Sequence, residues 1–250
     1  LWYKPITNLN SDLDQDVKVA LKLLAEWNGE MNEHLPEPLI FYSWMQNLQE
    51  RLIQDELGVL SQEFSNFDPI FLERVFRNIE GASVWCDIVQ SVPLESCEKA
   101  AEVALYDAVS ELKDTYKIDI ASLRWGDAHI AMHDHLTLGH IPVLNLLINL
   151  RQSVSGGDFT LQRGLSSGDP YYPFENVHAA VYRGVYDFSD PNSSLYIIST
   201  GQSGHLFSRH YDDLGQLWRR GEYITMSLDP DLARAASTGT TKIIPASKLQ

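Results

Sequence analysis

Basic residues are scarce in this chain: 19 lysines and arginines stand against 34 aspartates and glutamates, a formal net charge of −15. Binders of a phosphate backbone need clustered Lys and Arg, so the composition argues for no nucleic-acid partner. Docking on an anionic membrane surface is disfavoured for the same reason. Long apolar runs are missing too: Ile141 to Leu150 is only about half of the roughly 18 residues that cross a bilayer, so no membrane partner is expected. The chain opens Leu-Trp-Tyr-Lys-Pro, with neither a methionine nor a signal-peptide pattern, and reads as a processed or artificial end that leaves export open. Cysteine is nearly absent. Cys86 and Cys97 flank a Pro-containing turn (CDIVQSVPLESC), and they are either two separate buried thiols or a bridge closing a short loop, worth about 3 kcal/mol. There is no internal repeat and no low-complexity tract.

What is present is an ordinary globular mixture, 44% apolar and 21% charged over 250 residues, enough for one large domain or two small ones with a sizeable core. Ser11-Asp12-Leu13-Asp14 reads as an N-cap with early acids, and Leu13, Val17, Leu21 and Leu24 recur at helical spacing up to Gly29. A second helix is expected from Glu37 to Leu57, with Pro38 early and Gly58 at the stop. Asp68-Pro69 starts a third, closed by Gly81, and Leu94 to Tyr116 forms a fourth along Ala100, Val103, Ala104, Ala108 and Leu112. After Lys117 glycine, proline and aromatics become denser. Strands are expected at Asp158–Leu161, Ala179–Phe188 and Leu195–Thr200, with Asp190-Pro191-Asn192-Ser193 turning the last two into a hairpin. The layout is a helical portion over 1–120, a β-rich portion over 121–228, and a loosely attached tail over 229–250, all in one structural unit.

Three clusters invite a chemical reading. Trp125-Gly126-Asp127-Ala128-His129 leads into His133, Asp134, His135 and His140, where His129 and His133 could share a helix face as zinc ligands. No carboxylate or cysteine completes a known spacing, so these side chains are read as hydrogen-bonding around a long loop, with no metal. On Val181–Phe188 a strand puts Tyr182, Gly184 and Tyr186 on one face and Arg183, Val185 and Asp187 on the other. Arg183 and Asp187 read as a buried ion pair; the sharper alternative has Arg183 or Tyr186 bordering a catalytic cleft and orienting a group there. His210 has the chemistry of a general base, and Ser203 or Ser208 that of a nucleophile. Gly-Gln-Ser-Gly is not the Gly-x-Ser-x-Gly elbow, however, and capping of a turn is the better reading.

The stretch Ser199–Leu217, STGQSGHLFSRHYDDLGQL, organises the rest. An apolar run (Leu195, Tyr196, Ile197, Ile198) enters Gly201-Gln202-Ser203-Gly204. His210-Tyr211-Asp212-Asp213 then opens an amphipathic segment with Leu214, Leu217 and Trp218, where the acids would cap a helix start. This strand, glycine-flanked loop and helix resemble the C-terminal signature of the penicillin amidase family of N-terminal-nucleophile hydrolases, with Arg209 where a Pro is usual. Weaker agreement runs upstream through Trp125–His129, Gly157-Asp158-Phe159-Thr160 and Tyr182-Arg183.

The resemblance implies an α+β fold, the C-terminal portion of an αββα four-layer sandwich. It implies an amide hydrolase acting by acyl transfer to an N-terminal Ser, Cys or Thr whose own α-amino group is the base. Leu1 has no nucleophilic atom and no Gly-Ser or Gly-Cys pair lies inside the chain. No catalytic residue is therefore assigned here, and Arg183, Tyr186, Gln202 and His210 are expected beside the cleft. No cofactor is implied. The partners would be the small chain, the N-terminal part of the large chain and a small N-acyl substrate. A largely periplasmic family also implies a periplasmic or secreted protein and favours a Cys86–Cys97 disulfide. The rival reading is a non-catalytic secreted binding module of helices and strands, in which GQSG is only a loop.

Overall fold

Helices and a small sheet build the first part of the chain in a computed structural model, which describes residues 15–89, 91, 92 and 94–243. The expected cap at Ser11–Asp14 lies outside the described residues. Helix α1 runs Gln15–Glu26, α2 Glu37–Leu57, α3 Pro69–Phe76 and α4 Cys97–Tyr116. Each boundary has a local cause. Gly58 takes φ 54° where α2 ends, Asp68 accepts from the Ile70 amide at 2.8 Å to open α3, and Ser96 accepts from the Lys99 amide at 3.3 Å to open α4. The third helix is shorter than its apolar spacing suggested. Asn78, Glu80 and Gly81 adopt positive φ, and the chain continues as a 3-10 turn over Ile79–Cys86.

Helix α2 lies chiefly against α4. The facing side of α4 is a seam of buried alanines, Ala100, Ala101, Ala104 and Ala108, which lets the larger side chains of α2 (Leu39, Trp44, Leu48, Leu52) come close. The Trp44 indole N–H donates to the Ala101 carbonyl at 2.9 Å, so the one polar atom of that ring is satisfied in the core. Cys86 and Cys97 are joined by a disulfide, Cα atoms 4.9 Å apart, which ties the end of the 3-10 turn to the first residue of α4.

Helix gives way to strand after Lys117. A short helix α5 (Trp125–Ala128) leads into β1 (Ile130–His133); α6 (Asn145–Ile148), β2 (Leu150–Ser153), β3 (Gly164–Ser166) and β4 (Asn176–Ala179) follow. They form a four-stranded mixed sheet in the order β2-β1-β4-β3, with β1 and β4 parallel and the other pairs antiparallel. Asp158–Leu161 is not a strand. The Thr160 amide and hydroxyl turn back on Gly157, and the Asp158 amide is taken by the Tyr42 hydroxyl at 3.0 Å. These groups are satisfied without a ladder, so the segment is a turn.

Compact units divide at Ala180/Val181. The single strand expected over Ala179–Phe188 is accordingly two: β4 ends at Ala179, the Ala180 amide still donates to Arg163 (3.1 Å), and β5 (Tyr182–Val185) belongs to another sheet. That second unit holds an antiparallel sheet in the order β5-β6-β7, with β6 at Ser194–Ile198 and β7 at Ile224–Met226. β5 and β6 form the expected hairpin, Arg183 opposite Ile197 and Gly184 opposite Tyr196, around a 3-10 turn at Pro191–Ser193. Helix α7 (Gly215–Arg219) follows the GQSG loop, and α8 (Pro230–Ala236) opens on Asp229, with residues 229–243 exposed. Among the described residues no helix is long and apolar enough to cross a membrane.

Candidate functional site

Two places carry the chemistry that the sequence singled out, one in each unit. In the first, a pocket of ≈ 110 Å³ opens between α2 and the turn at 157–166. Tyr42 lines it. Its ring meets Phe67 edge-on at 5.1 Å and Phe174 at 6.5 Å, and Phe159 continues the wall 5.7 Å from Phe67. Gly157 is needed here because a Cβ would fall 2.7 Å from the Tyr42 hydroxyl. Burial and the adjacent Asp158 carboxylate push that hydroxyl's pKa up, so it stays protonated.

Asp158 is held by the Ser166 amide (3.0 Å) and hydroxyl (2.8 Å). The opposite wall, residues 64–68, is clamped by glutamines of α2. Gln46 donates to the Ser65 carbonyl, and Gln49 to those of Phe64 and Asn66, each at 2.9 Å, while the Gln49 oxygen accepts from the Asp68 amide. Asn66 closes the ring by donating to the Ser166 carbonyl at 3.1 Å. Sequence reasoning touched this pocket only through Gly157–Thr160. The glutamine clamp has no local signature, since its partners lie 15 to 19 residues away.

Behind the pocket lies the WGDAH segment. Amides of Trp125 and Gly126 donate to the Leu35 and Glu33 carbonyls (2.9 Å each), and the Trp125 indole donates to Gly156 (2.8 Å). His129 is fully buried, its Nδ1–H donating to the Phe174 carbonyl at 2.8 Å, and burial pushes its pKa down to about 4. The neighbouring histidines have separate roles. His133 sits in β1, where burial chiefly lowers its pKa, and His135 Nδ1 accepts from the amides of Thr137 and Leu138. Among the described residues no group of three or more His, Cys, Asp or Glu could hold a metal ion.

In the second unit the GQSG loop follows β6. Ser203 donates its amide to the His210 carbonyl at 3.0 Å, and Leu214 donates to Thr200 at 3.0 Å, so the loop is cross-linked at both ends. Gly201 packs so tightly there that a Cβ would lie 2.1 Å from the His210 carbonyl oxygen. Asp212 and Asp213 do not cap a helix. Helix α7 begins only at Gly215 without a side-chain cap, and Asp213 accepts instead from His210 Nδ1 at 2.7 Å. The other imidazole nitrogen accepts from Arg209 Nε at 3.0 Å. His210 therefore has no free acceptor for a serine proton, and the Ser203 and Ser208 hydroxyls accept from the amides of His205 and His210.

Arg183 has no ion pair with Asp187. Its guanidinium donates to the Trp218 carbonyl and lies 5.2 Å from the centroid of that indole, whereas Asp187 accepts from Ser189 and from the Asp190 amide. Beyond Val185 the chain leaves the ladder for the hairpin turn, which takes Asp187 out of the arginine's reach. The strand-face assignment is as expected on the other side: the hydroxyls of Tyr182 and Tyr186 meet at 2.6 Å. Gln202 is exposed. Among the described residues no hydrogen bond or ring contact links Arg183 or Tyr186 to Gln202 or His210.

Mixed helices and sheets make this an α+β fold, and residues 3–235 match the penicillin amidase family; the chain belongs to it. Over 143 residues it is 27% identical to penicillin acylase 2 proenzyme of Pseudomonas sp. (strain SE83), covering 56% of this chain and 18% of that protein. Its fold is similar to a thermostable penicillin G acylase from Alcaligenes faecalis, TM-score 0.56 at 15% identity, covering 98% of this chain and 46% of that one. The chain thus spans less than half the length of either.

Proposed function

We propose that this chain is the C-terminal part of the large chain of a penicillin-amidase-like hydrolase. The whole enzyme cleaves linear amide bonds of N-acyl compounds by acyl transfer to an N-terminal nucleophile outside these 250 residues. Attack forms an acyl-enzyme, which water then hydrolyses. This part supplies scaffold: the helical layer, the two sheets and the loops behind the cleft, beside which Arg183, Tyr186, Gln202 and His210 are placed. Its partners are the small chain and the rest of the large chain of the same precursor, in a periplasmic or secreted setting with which the Cys86–Cys97 disulfide agrees.

The observation that carries the reading is the family match over residues 3–235, and the local engagement of the candidate serine and histidine side chains supports it. The Ser166 hydroxyl donates to Asp158, Ser203 and Ser208 are occupied in turns, and both nitrogens of His210 are engaged. The test is hydrolysis of a chromogenic acyl-anilide. Leu1–Gln250 alone is expected to stay at the background rate, and the full precursor to turn substrate over after self-cleavage. Turnover by the isolated chain overturns the assignment.

A further inference from the structure

In the pocket beside Tyr42 two opposite charges border one space without pairing. Asp158 and Arg163 both line it, yet among the described residues Arg163 makes no ion pair. The two Ser166 donors fix the Asp158 carboxylate in place, and the Tyr42 hydroxyl also donates to it; an ionised carboxylate offers about four acceptor positions, so about one remains. Arg163 is exposed at the mouth, its backbone anchored by the Ala180 amide. The walls are aromatic, from Phe67, Phe159 and Phe174, and the glutamine clamp sets them before any ligand arrives. A simple anion would meet the like charge of Asp158, and a simple cation that of Arg163. A ligand carrying both signs satisfies both.

We propose that this pocket binds a free α-amino acid with an apolar side chain. The ammonium group is held by Asp158, the carboxylate by Arg163, and the side chain lies against the rings of Phe67 and Phe159. The volume, ≈ 110 Å³, is below the about 150 Å³ of an apolar cavity that accepts benzene, so it suits an aliphatic side chain smaller than a phenyl ring. The ring walls therefore take the side chain while the two charged ends stay at the mouth. The test of this site does not need an active enzyme.

The experiment is an amide-shift titration of the ¹⁵N-labelled 250-residue chain with L-valine and L-leucine. N-acetyl-L-leucine and L-leucinamide, each lacking one charge, serve as comparisons. Expected are saturable shifts at Phe67, Asp158, Phe159 and Ser166. Binding of both analogues should be weaker by roughly ten- to a hundred-fold, the loss of one hydrogen bond to a charged group. Arg163→Gln, a change at an exposed side chain, should weaken leucine by a similar factor and leave leucinamide unaffected. The proposal is overturned if neither amino acid saturates, if either analogue binds as tightly as leucine, or if Arg163→Gln changes nothing.

Discussion

The His129 imidazole lies flat against the Trp125 indole, ring centroids 4.4 Å apart and planes 15° apart. The stack is sealed: His129 is fully buried, and among the described residues its Nε2 has no hydrogen-bond partner. Protonation would place a cation where nothing receives it. Its pKa lies near 4 in the folded chain, against about 6.5 when unfolded. The depressed value means stability is complete above about pH 6.5 and is lost as pH falls towards 4, on the order of 3 kcal/mol in all. Urea unfolding at pH 7, 5.5 and 4.5 measures it. His129→Gln should cost about 1–3 kcal/mol at pH 7 through the lost bond to Phe174 and remove part of the acid slope. A variant with the wild-type slope assigns the acid loss elsewhere.

The two glycines of the GQSG motif are not equivalent. A Cβ on Gly201 would lie 2.1 Å from the His210 carbonyl oxygen, whereas one on Gly204 meets nothing within 4 Å. Gly201→Ala is expected to destabilise the second unit by about 1–3 kcal/mol, the range for overpacking. Gly204→Ala should stay within about 0.5 kcal/mol, as at an ordinary surface position. Thermal melts of the two variants decide this, and equal losses would refute it.

Removing the disulfide with Cys86→Ala and Cys97→Ala together should cost about 3 kcal/mol on the chain-entropy estimate, because the bridge closes a short loop between residues 11 apart in sequence. Denaturant midpoints with and without reductant check the same quantity in the unmodified chain. A wild-type midpoint unmoved by reductant, with both thiols shown to be free, would contradict it.

Arg183 acts on Trp218 twice, through the carbonyl and through the ring. Arg183→Lys keeps the charge but lacks the planar fork that makes both contacts. It is expected to lose about 1–2 kcal/mol, close to the cost of Arg183→Met, because the guanidinium geometry rather than the charge is used. Trp218 fluorescence during unfolding reports the change. Full retention of stability in the lysine variant would show that charge alone suffices.

Helix α2 was legible to the residue because its stop signal, Gly58, is local. The same holds for the β5–β6 hairpin, fixed by its Asp-Pro-Asn-Ser turn. Asp158–Leu161 misled because the Tyr42 hydroxyl, 116 residues away in sequence, satisfies a backbone group that would otherwise seek a ladder. Arg183 misled differently. A half-buried cation in a strand suggests a carboxylate partner, but a carbonyl and an indole face suffice. Both are reached only through the return of the chain at α7. The pocket was hidden for the same reason, since the walls beside Phe67 and Asp158 meet only through long-range clamps.

The alanine seam of α4 also restricts how sequences of this kind can drift. Wherever Ala101 gains a methyl group, Trp44 on α2 is expected to shrink or shift in the same lineage. Substitutions at these positions are expected to arrive as compensated pairs, so the seam is a natural place to look for correlated change among relatives.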